Sequence, residues 1–271
     1  EAEKANPKAD ILLTADVANL SLAENRGLLE KLGNNIQAEI VPIEFKDDYW
    51  IALTKRTRIL VYAKDRVQSN ELSTYADLSL PKWKGRILVR SSNSPYNQSF
   101  ISAMIAHIGQ EKTGKWIEEF VNNFARKPQG GDIDQIKAVA AGEGDIALVN
   151  SYYIARMMAS NDDDDVNITK NIGVFFPDQD GNGAMLNISG IGIVKNASHK
   201  NNAIQLINFM LSNVAQRIYA KNNNEYPIND KIKKSSILDG WGDYKIDNLN
   251  IKKIGENLDI AIKLMDEKGW R

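Results

Sequence analysis

The sequence predicts an α/β fold built as two lobes, and three observations predict it. Short apolar, β-branched runs recur along the chain, helical patterns lie between them, and 271 residues exceed what one compact core usually needs. Alternating strands and helices imply mostly parallel sheets. Ligands in such folds sit beyond the carboxyl ends of strands.

In chain order, strands are expected at residues 9–15 (ADILLTA), 58–63 (RILVYA), 85–91 (GRILVRS), 145–150 (DIALVN), 172–177 (IGVFFP) and 187–195 (NISGIGIVK). Each is short, β-branched and bounded by turn residues. Residues 111–127 place Trp116, Phe120 and Phe124 at i, i+4 and i+8, one face of a helix. A shorter helix spans 132–141 and opens on an acidic residue. Residues 200–221 carry Ile204, Ile207, Met210 and Leu211 at helical spacing, and a helix at 255–268 closes the chain. The run 161–165 (NDDDD) reads as a solvated loop, because like charges in a row repel. Residues 178–183 (DQDGNG) imitate the start of a calcium loop, but the twelfth position is Ser189 where an EF-hand needs glutamate. A turn between two strands accounts for them better.

Composition excludes several classes of function. The formal net charge of -1 provides no general field for nucleic acid or anionic lipid. No apolar run approaches the roughly 20 residues that span a bilayer. The opening EAEKANPKAD has no apolar signal core, so the expectation is a cytosolic chain or a mature or trimmed secreted one. With no cysteine, disulfides, thiolate zinc sites, iron–sulfur clusters and cysteine nucleophiles are excluded. The two histidines, His107 and His199, lack partners at metal-ligand spacing. No nucleophile elbow, P-loop or HExxH motif is present, so no catalytic residue is assigned and an enzyme is not expected.

Three tyrosines stand out by position. Tyr152 and Tyr153 directly follow the strand DIALVN, where Asn150 and Ser151 suit a helix N-cap. Tyr96, in SSNSPYNQSF, follows the strand GRILVRS just ahead of a helix expected from about Asn97. An isolated tyrosine near a strand end is ordinarily a half-buried packing residue with a wetted hydroxyl. The alternative is chemical. A ferric ion is small, hard and highly charged, and prefers anionic oxygen. Metal binding displaces the phenol proton, and helix N-termini favour the phenolate. Arg156, at i+4 and i+3 from the tyrosine pair, and Arg56, in LTKRTR, could offset the negative charge around a metal. Ordinary surface ion pairs are the other reading of both arginines.

Seven landmarks carry a family resemblance: KADILLTAD, LTKRTRILVY, LPKWKGRILVRSSNSPYNQS, GEGDIALVNSYYIAR, NISGIGIVKNA, NEYPIN and the closing LMDEKGW. In this order they span essentially the whole chain. The sequence resembles the ferric-ion-binding periplasmic proteins of bacterial iron ABC importers, in the branch with mostly tyrosine ligands. The resemblance implies a type II periplasmic-binding-protein fold, like one transferrin lobe, with a hinge and an interlobe cleft. The first lobe would hold residues 1–62 and the return segment 185–271, and the second lobe 63–184. The paired tyrosines of the family match Tyr152 and Tyr153, its third matches Tyr96, and the arginine of its KRxR stretch matches Arg56. One ferric ion would bind there, with or without a synergistic anion, in a monomer that delivers it to an ABC permease in the periplasm. Some relatives carry a glutamate ligand where this chain has Ala15; the neighbouring Asp16 is not assigned as a ligand. The family begins with a strand bearing a further tyrosine, often preceded by histidine. About 50 residues of that β–α start are expected ahead of Glu1, and the fourth protein ligand with them. The alternative function is a related binding protein for a small organic or anionic solute, with aromatic and hydrogen-bonding groups lining the cleft.

Overall fold

The computed structural model describes residues 5–271. β1 (Ile11–Thr14) leads into α1 (Val17–Asn25), and a loop carries the chain to β2 (Ile51–Ala63). Then follow β3 (Ile87–Leu88), α2 (Pro95–Ile108), α3 (Gln110–Val121), α4 (Asp132–Ala140), β4 (Ile146–Asn150) and α5 (Ser151–Met158). The chain continues through α6 (Asp163–Lys170), β5 (Ile172–Phe175), β6 (Leu186–Ile193), α7 (Lys200–Leu211) and α8 (Asn213–Ile218). It closes with β7 (Tyr226–Pro227), α9 (Ser236–Gly240), α10 (Lys252–Glu256) and α11 (Leu258–Glu267).

β2 organises the molecule. Its first half pairs with β6, from Ile51 opposite Ile191 to Thr57 opposite Leu186, and with β7 at Thr54 and Lys55. Its second half changes partners: Arg58 lies opposite Asn150 of β4, and Leu60 to Ala63 lie opposite β5. One strand therefore threads two sets of partners, with the changeover between Thr57 and Arg58. Both faces are covered, so nearly the whole strand is buried. The sequence placed only 58–63 in a strand because Lys55, Arg56 and Arg58 interrupt the apolar run. In the fold, both arginines are buried and find polar partners.

The expectation of mostly parallel sheets is corrected. Among the described residues, β3–β4 is the parallel ladder, and every other ladder is antiparallel. A parallel pair needs a long crossover. The α2–α3–α4 segment supplies one between β3 and β4, whereas the other partners run back along β2. The α/β class itself holds.

The acidic run is also corrected. Asp162 caps α6 by accepting from the Asp164 N–H, and Asp163, Asp164 and Asp165 fill the first turn. The positive end of the helix dipole favours acids there, which outweighs their mutual repulsion. The helix expected over 200–221 is broken at Ser212, whose hydroxyl caps α8. Trp116 and Phe120 stack inside α3 at 4.4 Å. Phe124 lies beyond the helix end, yet it and Phe120 both pack edge-on against buried Trp270, at 5.7 and 5.3 Å. At Gly190 of β6 a Cβ would come within 2.6 Å of Leu20, so glycine permits the close seating of α1 on the sheet.

Candidate metal centre

Two helix starts position the tyrosines. Asn150 ends β4 with extended backbone and takes the N-cap position of α5, which puts Tyr152 and Tyr153 in the first turn. Ser94 takes the N-cap position of α2 and Pro95 its first helical position, where the missing N–H costs nothing. Tyr96 follows. Because β4 and β3 run parallel, both helices start from the same end of the sheet. The carboxyl ends of adjacent parallel strands thus bring together residues 56 positions apart.

The three phenols meet there. The Tyr96 and Tyr152 hydroxyls are 3.3 Å apart. The rings of Tyr152 and Tyr153 lie 4.1 Å apart, tilted by 32°. The Tyr153 phenol is near enough to both for the three to perturb one another electrostatically. Tyr152 is buried, and Tyr96 and Tyr153 are half-buried. Burial pushes the Tyr152 phenol well above its ordinary range, and the neighbouring Tyr96 and Tyr153 push it further. Tyr153 is raised for the same leading reason. Desolvation therefore disfavours the Tyr152 and Tyr153 phenolates, and a bound cation would favour them.

Arg56 is fully buried beside this cluster. Its guanidinium donates to the Ile188 carbonyl and the Ser189 hydroxyl, each at 2.8 Å, and lies 3.5 Å from Glu225. It also sits 5.7 Å from the centre of the Tyr96 ring. Arg156 is exposed on α5, and among the described residues no hydrogen bond, ion pair or ring contact joins it to the tyrosines. Asp16 is not free to act as a ligand. It caps α1 through the Ala18 N–H and accepts from Ser99 Oγ at 2.5 Å and Asn187 Nδ2 at 2.9 Å. Its carboxyl is raised by burial, against those bonds and the Arg56 charge.

The sequence reading missed the residues that hold the tyrosines in place. Asp132, the first residue of α4, is buried and accepts from Arg58 at 3.2 Å, from Arg90 at 3.4 Å and from the Asn150 backbone N–H at 2.7 Å. Arg58 also donates to Asn97 Oδ1 at 2.7 Å. Arg90 lies 5.2 Å from the centre of the Tyr96 ring. Nothing in the spacing of these residues announces them, since their partners come from distant elements. Ser94 Oγ and Asn150 Nδ2, at the caps of the two tyrosine-bearing helices, are buried without a hydrogen-bond partner. No cluster of three or more His, Cys, Asp or Glu among the described residues could hold a metal, so oxygen chemistry here rests on the phenols.

Residues 6–241 match the family described as bacterial extracellular solute-binding protein. Iron uptake protein A1 of Synechocystis is 42% identical over 273 residues, spanning 100% of this chain and 76% of that protein. A Trichodesmium protein solved in complex with iron and citrate ligands superposes with a TM-score of 0.93 at 42% identity, covering 100% of this chain and 86% of that one. The ferric binding protein from Campylobacter jejuni superposes with a TM-score of 0.96 at 36% identity, with coverage of 100% and 86%.

Proposed function

This chain belongs to the bacterial extracellular solute-binding protein family, and on that premise we propose that it binds one ferric ion through Tyr96, Tyr152 and Tyr153 for iron uptake. The observation that carries the reading is the clustering of three phenols at the carboxyl ends of β3 and β4. Phenolate oxygen suits a hard trivalent ion. The solved relatives named for iron and for ferric binding support the same cargo.

Before the ion arrives, burial keeps the Tyr152 and Tyr153 phenols protonated. The ferric charge reverses this balance, and each phenol that binds releases a proton. Arg56 and Arg90, close to the Tyr96 ring, offset the negative charge that remains. Arg156, exposed on α5, contributes charge only at longer range. Ser94 Oγ and Asn150 Nδ2, buried without partners, are suited to hold an anion that completes the coordination.

Capture exchanges phenol protons for the ion and converts no substrate into a product, so the protein acts as a carrier rather than an enzyme. It works as an exported monomer that delivers the ion to an ABC permease. The lobes divide near residues 62 and 184. The change of β2 partners at Thr57 and Arg58 supports a hinge close to the first boundary. Closure of the lobes on the ion would present one shape to the permease. Titration of the metal-free chain with a ferric chelate tests this: the expected result is a visible phenolate-to-iron band that saturates at one ion per chain. A colourless titration, with binding of a small organic solute instead, would favour the related solute-carrier function.

A further inference from the structure

A cavity of about 650 Å³ lies against Arg56, between β7 and the chain from Asp230 to Ile246. Tyr96, Tyr152 and Tyr153 do not line it. It sits against Lys55, Arg56 and Thr57, where β2 changes partners.

Its lining residues carry polar groups whose hydrogen bonding is incomplete. Thr57 Oγ1, Tyr226 Oη, Tyr244 Oη and Arg56 Nε are all buried and make no well-aligned hydrogen bond. Thr57 and Tyr226 are within a tenth of full burial, and Arg56 is wholly buried. The Tyr244 hydroxyl lies close to those of Tyr226 and Thr57, so the three form one cluster behind the cavity wall. Arg56 already uses Nη1 and Nη2 on Ser189 and Ile188. Its Nε–H can only donate, and needs an acceptor. Burial raises both phenols, so both keep their protons as donors. Leaving such donors unmet in a buried site is unfavourable, and a ligand rich in acceptor oxygens relieves it.

Charge and shape narrow the class. Five cationic side chains line the cavity against three aspartates. Lys55 is paired with Asp230, and Lys234 stands near Asp239 and Asp243. Lys231 and Lys233 are exposed, with no ion pair among the described residues. Leu186, Ile232 and the tyrosine rings supply apolar wall, which an inorganic anion would leave uncovered. Ligand sites of this size commonly combine apolar walls with a few convergent polar groups. We propose that this cavity is a binding site for a small organic polycarboxylate, with one carboxylate on Thr57, Tyr226, Tyr244 and Arg56 and another facing Lys231 and Lys233.

The test uses the iron-free full chain, so that it stands apart from ferric binding. Calorimetry with tricarballylate, succinate and inorganic phosphate at fixed ionic strength should show one tricarballylate per chain, bound at least tenfold tighter than phosphate. The double variant Lys231→Ala/Lys233→Ala should weaken it at least tenfold, as should Tyr244→Phe, with unchanged circular dichroism. The lysine variant should leave the ferric band intact. Tyr152→Phe should leave tricarballylate binding within twofold. Absence of binding, or phosphate binding as tightly, overturns the proposal. So does loss of binding in Tyr152→Phe while the lysine variant retains it, since the anion would then sit at the tyrosines.

Discussion

Asp132 and Arg58 form a buried ion pair, with 3.2 Å between carboxylate and guanidinium, and together they tie both tyrosine-bearing helix starts to one point. The same carboxylate oxygen holds the Asn150 N–H ahead of Tyr152, and the same guanidinium holds Asn97 next to Tyr96. Asp132→Ala would leave Arg58 buried and unpaired, at an expected cost of about 3–5 kcal/mol. Ferric affinity should fall as well, because the helix starts lose their common anchor. Denaturant unfolding and chelator competition measure the two effects. An unchanged unfolding midpoint would show that the pair bears no load.

The arginines should separate sharply. Arg156→Ala, at an exposed position on α5, should change stability by no more than about 0.5 kcal/mol. Its ferric affinity should stay close to wild type. Arg56→Ala removes a fully buried guanidinium that bonds Ile188 and Ser189 and faces Glu225, so both stability and ferric affinity should drop. A larger loss of affinity from Arg156→Ala than from Arg56→Ala would reverse their assigned roles.

Alkaline pH should destabilise the metal-free protein. Burial holds the phenols of Tyr75, Tyr152 and Tyr226 above their ordinary range. The unfolded chain ionises its tyrosines near pH 10. Above that pH the unfolded state binds fewer protons than the folded one, so stability falls as pH rises. Below it, the contribution is fully present. The measurement is the denaturant midpoint between neutral pH and about pH 11. A midpoint that stays level over that range would mean these phenols ionise in the folded state.

Asp16 offers a test of the fold apart from the metal. It caps α1 and accepts from Ser99 on α2 and Asn187 on β6. Asp16→Ala removes the cap and leaves two buried donors unmet, an expected loss of about 2–4 kcal/mol. Thermal unfolding should register it, while the ferric band of the folded fraction keeps its position.

The sequence revealed those parts of the molecule whose signal is local. Asn150–Ser151 before a tyrosine pair, and Ser94–Pro95 before Tyr96, are cap signals that place the phenols correctly at helix starts. The parts it concealed depend on distant partners. The first half of β2 looked too charged for a buried strand, because Arg56 and Arg58 are satisfied by Ile188, Asn97 and Asp132 from far along the chain. Strand direction was equally hidden, since an alternation of elements does not say that the partners of β2 return antiparallel. Two corrections had local signals that were available: Asp162 and Ser212 are both capping residues, and each marks the start of a helix.

The central claim is that the phenolates of Tyr96, Tyr152 and Tyr153 hold the ion. Each must lose its proton to bind, so ferric affinity should fall as pH falls. Substitution by Phe keeps the ring packing and removes only the oxygen. The direct measurement is a pH titration of the visible ferric band in the wild-type protein and in Tyr96→Phe, Tyr152→Phe and Tyr153→Phe. Each variant should show an altered band and release the ion at a higher pH than wild type. Variants that keep the wild-type band and the same acid midpoint would contradict the claim.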